Sequence, residues 1–180
     1  MNIEYEMTIL EIDKDLLVKK LEKLGAIKVS DSLQRRFVYD FNPKLDKKWI
    51  RLRTNGEKTT LTIKEVFDKN VIGGTNELEI VVDDFDKTNN ILNELGYKRR
   101  NYQENYRTSY KLGNVNFDID SWPLIPTYVE IEGSSENDVK NALKLLELDN
   151  VKTTTLDVDS IYNEIYNIKV MDIEELKFNE

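Results

Sequence analysis

The sequence predicts an α+β fold in which strands outnumber helices and turn charged faces toward a shared cavity, a β-barrel with helices packed outside. Three observations carry this. Short stretches alternate apolar and polar residues, the period of half-buried strands. The polar positions are like-charged pairs: Glu4/Glu6, Arg51/Arg53, Glu77/Glu79, Asp118/Asp120 and Glu130/Glu132. Three Glu-x-Glu pairs each open a strand that runs into a helical pattern, an internal repeat.

The elements follow in order. Ile3, Tyr5, Met7 and Ile9 alternate with Glu4, Glu6 and Thr8 in a strand over 3–12. Asp13 caps a helix that keeps Leu16, Leu17, Leu21 and Leu24 at helical spacing and stops at Gly25. Strands are expected at 33–41, 48–54 and 58–67, the last two joined through the Asn55-Gly56 hairpin signal. A loop with Gly73-Gly74 leads to a strand at 76–82 and a helix over 84–96. Strands at 101–112 and 114–121 turn at Gly113-Asn114, and beyond Pro123 and Pro126 lie a strand at 127–133 and a helix at 135–148. The tail from Asp157 reads as one more helix and an irregular end. Two β-α-β-β halves and a closing β-α unit make one domain over 1–180, with its core at 2–150 and its tail at 151–180.

Composition removes whole classes of chemistry. Among 180 residues there is no Cys, hence no disulfide or thiol nucleophile, and no His, hence no imidazole base. Reactivity must run on carboxylates, Lys, Arg, Tyr, Ser or Thr, with a hard metal held by oxygen as the remaining option. A net charge of −8 argues against nucleic-acid binding. No apolar run approaches the ~20 residues of a membrane span, and the acidic MNIEYEMT start is unlike a signal peptide, so a cytoplasmic location is expected.

Side chains two apart in a strand share a face. Between the charged positions stand Ile3, Ile50, Leu52, Leu61, Ile63, Leu78, Ile80, Phe117, Ile119, Val129 and Ile131, expected to lie buried under the helices. Like charges side by side on one strand repel and gain nothing on a solvated face. They make sense where strands of opposite sign face each other. The carboxylates Glu4, Glu6, Glu77, Glu79, Asp118, Asp120, Glu130 and Glu132 outnumber the cations Arg51, Arg53, Lys64 and Arg107, with Arg36 and Lys111 added by parity alone. Such a surplus calls for protonation or for divalent cations. A row of Arg and Lys opposite carboxylates suits a triphosphate with Mg²⁺ or Mn²⁺.

These motifs carry a resemblance. The opening Glu-x-Glu strand, IRLR (50–53), TLTIKE (60–65), the Glu77-Leu78-Glu79 strand and Tyr-Val-Glu-Ile-Glu (128–132) resemble the CYTH superfamily over residues 2 to about 150. That superfamily contains class IV (CyaB-type) adenylyl cyclases, thiamine triphosphatases and inorganic triphosphatases. The resemblance implies a closed antiparallel eight-stranded tunnel. It implies that Glu4, Glu6, Glu130 and Glu132, with Asp120 nearby, hold the metal. It implies that Arg51, Arg53, Lys64 and Arg107 bind triphosphate and that Glu77 and Glu79 position those cations. Glu4, Glu6, Lys64, Arg107 and Asp120 are the expected catalytic set, and Arg36 joins the substrate-binding residues.

The chain departs from the family pattern at three places. Thr8 stands where the family's opening Glu-x-Glu-x-Lys has Lys. Glu104, Asn105 and Tyr106 replace a more basic stretch before Tyr110. Gln34-Arg35-Arg36 replaces Gln-x-Asp. Trp49 and Trp122 are expected as rim packing, Lys98-Arg99-Arg100 as a solvated strand start, and Lys44, Lys47 and Lys48 as loop charges. The tail, with Ile161, Ile165 and Ile168 at helical spacing, either closes a tunnel mouth or forms a homodimer contact. The function expected first is hydrolysis of inorganic triphosphate, thiamine triphosphate or another small triphosphate. Cyclisation of ATP to cyclic AMP is the second reading, and a non-catalytic polyphosphate binder the third.

Overall fold

The computed structural model describes residues 1–148 and 151–179. In chain order it forms β1 (Asn2–Ile9), α1 (Lys14–Lys23), β2 (Ile27–Asp40), β3 (Lys48–Thr54), β4 (Thr59–Val66) and β5 (Thr75–Val82). Then come α2 (Phe85–Glu94), β6 (Arg99–Leu112), β7 (Val115–Ser121), β8 (Tyr128–Gly133) and α3 (Glu136–Leu145). The tail holds β9 (Thr153–Thr154), a short helix α4 (Val158–Ser160) that runs on as a π-turn over Ile161–Ile165, and β10 (Glu175–Leu176).

Eight strands close on themselves. β1 pairs with β5, β5 with β4, β4 with β3, β3 with β2, β2 with β6, β6 with β7, β7 with β8, and β8 back with β1, every pair antiparallel. Closure satisfies both edges of every barrel strand and fixes which side chains point inward. β9 pairs with β1, and β10 adds to β6 in parallel.

The helices start where their caps dictate. Asp13, Asp84 and Ser135 accept from the backbone N–H of Leu16, Lys87 and Asp138. α1 and α3 lay Leu17, Leu21, Val139 and Leu146 over Ile9, Phe117, Ile119, Val129 and Ile131, the outward residues of β1, β7 and β8. α2 places Leu92 with Phe37, Tyr39, Ile50 and Leu52 of β2 and β3. Burying a side chain as completely as Ile131 stabilises the fold by about 1.5–3 kcal/mol. Charge is thereby left to the inner face.

Four expectations are corrected. β2 begins at Ile27 rather than 33, because its first residues ladder onto β6 beyond the helix layer, where Ile27 and Val29 stay 72% and 63% exposed. The apolar positions of β5 and the start of β1 are not covered: Ile3, Leu78 and Ile80 are 49%, 51% and 55% exposed, lying between the two helix layers. The first β-α-β-β half carries an additional strand, β4, before β5 opens the second. The third helix ends at Leu145, short of 148, and residues 149 and 150 lie outside the described residues. No helix among the described residues is long and apolar enough to cross a membrane.

Candidate active site

Register decides which charges meet. In the β1–β8 ladder Glu6 faces Glu132 and Thr8 faces Glu130; in β7–β8 Asp118 faces Glu130. Across β4–β5 Lys64 faces Glu77 and Thr62 faces Glu79, while in β2–β3 Arg36 faces Arg53. These side chains enclose a cavity of roughly 270 Å³ lined by Glu4, Glu6, Arg36, Arg51, Arg53, Lys64, Glu77, Glu79, Arg107, Asp118, Glu130 and Glu132. Asp120, fully buried, stands in the wall behind Arg107. Lys111 does not join them and is exposed at the end of β6.

The cations fall into three groups. Lys64 Nζ lies 2.9 Å from Glu4 and 3.3 Å from Glu77. Arg51 stands 3.6 Å from both Glu77 and Glu79, and Arg53 stands 3.9 Å from Glu79, whose carboxylate also accepts from Thr62 Oγ1 at 2.8 Å. Arg107 bonds Asp120 through Nε (2.8 Å) and Nη2 (2.5 Å), Asp118 through Nη1 (2.6 Å) and Glu130 through Nη2 (2.6 Å). Arg107 thus delivers a cation to the Glu130 that Thr8 faces and cannot neutralise. Arg36 stands apart, donating to Asn105 Oδ1 with its guanidinium carbon 4.6 Å from the centre of the Trp122 ring.

Burial sets the protonation balance. Burial pushes Glu4 up to about 8 against the pull of Lys64. Burial likewise raises Glu6 and Glu132, with the Glu6 charge adding to the rise of Glu132 and Glu130 adding to that of both. Burial would raise Glu77 too, but Lys64 and Arg51 hold it at about 2. Burial, followed by Glu130, raises Asp120 despite the grip of Arg107. On the cation side, Arg51 and then burial lower Arg53 to about 10; burial and the neighbouring Arg53, Arg51 and Arg107 lower Arg36 to about 9.

The donor set offers a divalent metal one place. Among the described residues no three carboxylates converge on one ligating point, since Lys64 occupies Glu4 and Arg107 occupies Asp118, Asp120 and Glu130. Glu6 and Glu132 face each other, are held toward the neutral form by burial against the pull of Lys64, and form no close ion pair among the described residues. Two facing carboxyls with hard oxygen donors fit a Mg²⁺- or Mn²⁺-sized ion, which would stabilise the charged form.

Three further residues of the tunnel were not among the expected site residues. Asn105, fully buried, donates to Asp120 at 2.6 Å, Ser109 donates to Asp118 at 2.6 Å, and Tyr128 lines the cavity. All three continue the inward parity of β6 and β8, a signal that was present. Trp122 is not rim packing: it is 4% exposed and meets Tyr162 edge to face. Arg100 is not solvated, bonding Asp40 and reaching Asp159 at 2.8 Å. Arg99 keeps the expected exposure. Between the two readings of the tail, closure of a mouth is the one seen: Ile161 and Tyr162 pack with Leu10, Trp122 and Tyr128, and Leu156–Asp159 line the cavity.

A closed antiparallel tunnel with charge on its inner face and helices outside defines a class of fold. The chain belongs to the CYTH domain family, whose model matches residues 2–159. Solved structures agree. A protein of Pyrococcus horikoshii is 24% identical, with 83% of this chain and 94% of that one covered at a TM-score of 0.71. A putative adenylate cyclase from Vibrio parahaemolyticus is 11% identical, covering 90% and 98% at 0.77. A putative adenylyl cyclase from Hippeastrum, described as having a dominant triphosphatase activity, is 14% identical, covering 93% and 97% at 0.61. No curated protein matches the sequence.

Proposed function

We propose that the protein is a divalent-cation-dependent phosphohydrolase that removes the terminal phosphate of a small triphosphate lying in the tunnel. One observation carries the reading: Arg36, Arg51, Arg53, Lys64 and Arg107 enter a single cavity from four strands, opposite Glu4, Glu6, Glu130 and Glu132. No simple anion needs so many donors, whereas a triphosphate spreads several charges over about that span.

Arg51 and Arg53 present planar forks to non-bridging oxygens, and Lys64 adds a point charge beside them. Glu77 and Glu79 hold those three side chains in place from β5. Glu6 and Glu132 would hold Mg²⁺ or Mn²⁺. When bound, the ion offsets charge on the phosphoryl oxygens. A carboxylate pushed up by burial, as Glu4 is to about 8, takes the proton of the attacking water. Water oxygen then bonds the terminal phosphorus, the bridging P–O bond breaks, and diphosphate leaves.

The test supplies inorganic triphosphate, thiamine triphosphate and ATP separately, with Mg²⁺ or Mn²⁺. Orthophosphate release that is lost in Lys64→Ala supports hydrolysis. Cyclic AMP and pyrophosphate from ATP would replace this reading with a cyclase. Triphosphate binding without any product would leave a polyphosphate-binding protein.

A further inference from the structure

A guanidinium taken out of water needs an anion, and Arg36 has none. It is 4% exposed, it donates to the neutral Asn105, and its Nε has no hydrogen-bond partner. The carboxylates around it are engaged elsewhere, Asp120 by Arg107 and Asn105 and Asp159 by Arg100. Arg36 forms no ion pair among the described residues.

Two more sealed donors stand beside it. Trp122 Nε1 and Tyr128 Oη belong to side chains 4% and 1% exposed, and neither atom has a hydrogen-bond partner. The three residues form one wall. Arg36 stacks on Trp122, while Tyr128 faces Asp120, two residues before Trp122 and linked through Asn105 back to Arg36. All three line the tunnel where the tail, through Tyr162, packs against Trp122. An unmet buried donor is costly, and three in one wall are not an accident of packing. Arg and Trp nitrogens can only donate. Whatever satisfies them is therefore an acceptor, and the uncompensated charge of Arg36 makes it an anion. The Arg51, Arg53 and Lys64 row differs, because each of those cations already leans on a carboxylate.

We propose that Arg36, Trp122 and Tyr128 form a separate oxyanion subsite that grips the terminal, unesterified phosphoryl group of the substrate at the tail-covered end of the tunnel. This rests on the triphosphate reading and adds an orientation to it: the free phosphate end lies against Trp122. Any organic group then points toward the opposite mouth, lined by Ser30, Asn55 and Lys58.

The experiment titrates wild type, Trp122→Phe and Tyr128→Phe with inorganic triphosphate and, separately, orthophosphate, both with Mg²⁺, and records the ligand-free Tm of each. Each variant keeps its ring and deletes one unpartnered donor. Triphosphate affinity should fall about tenfold or more in each variant, the loss of one bond to a charged oxygen, while the ligand-free Tm holds or rises. Triphosphate binding both variants as it binds wild type would overturn the subsite and leave the triphosphate reading standing. A sharp drop in ligand-free Tm in both variants, with unchanged affinity, would likewise overturn it by making the donors structural. Orthophosphate binding that wild type shows and both variants lose, with no binding of triphosphate, would keep the subsite and end the triphosphate reading. If wild type binds neither anion, both fall.

Discussion

Arg53 leans on a carboxylate it must share with Arg51, and that neighbouring cation does more than burial to lower it to about 10. A polyanion between the two relieves the repulsion, so both side chains are better placed for a ligand than for each other. Arg53→Ala should lower kcat/KM by about ten- to a hundredfold, the loss of one charge-assisted contact of ~1.5–3 kcal/mol. Arg53→Lys should recover only part, since an ammonium cannot reproduce the fork. Steady-state kinetics on inorganic triphosphate check both, and full recovery by Lys would remove bidentate contact from the account. At this scale parity made Glu4, Arg51, Lys64 and Glu130 legible, because an inward charge two residues from another is visible in any strand. Asn105 and Tyr128 obey the same parity but carry no charge, so parity did not mark them as site residues. Arg100 was misread for a different reason: its partner Asp159 comes from the tail, whose docking no local pattern announces.

Strand β1 and its neighbour β8 gather acid that burial holds toward the neutral form. Glu4 is raised to about 8, and Glu6 and Glu132 are raised with it, whereas an unfolded Glu titrates near 4.5. A carboxyl raised in the folded state binds more protons there, so its stabilising contribution is complete below about 4.5 and is lost as pH rises through its folded value. Without metal, Tm should therefore decline between about pH 4.5 and pH 8. Glu77, held at about 2, acts oppositely: its contribution is present above about 4.5 and fades only as the solution approaches pH 2. Glu6→Gln with Glu132→Gln should flatten the decline, because two amides do not titrate. Calorimetry across that range decides it, and a slope unchanged in the double variant would place the titrating groups elsewhere.

For the molecule as a whole, any ligand that binds only the closed barrel stabilises it by mass action. Mn²⁺ or Mg²⁺ should raise Tm, EDTA should reverse the rise, and the Glu6→Gln, Glu132→Gln protein should show little of either. A rise that survives in the double variant would move the ion to other ligands. Most of the architecture was legible: strand period placed the barrel strands nearly at their bounds except for the early start of β2 and the early end of β1 at Ile9 rather than 12. The bare outer face of Ile3, Leu78 and Ile80 was not legible, since alternation marks an apolar side without saying what covers it.

Barrel closure also orders events in time. Tyr5 pairs with Gly133 and Ile9 with Val129, so the seam joins the first strand to the eighth across most of the chain. Loop closure over such a separation is slow, and strands with distant partners pair late. The facing Glu6 and Glu132 sit on that very seam. During synthesis the first Glu-x-Glu strand must wait for residue 133 to leave the ribosome before its acidic partner exists. Acquisition of divalent-cation affinity in a refolding experiment is therefore a clock for the final seam, and it should lag behind burial of the α2 cluster, whose strands are already neighbours.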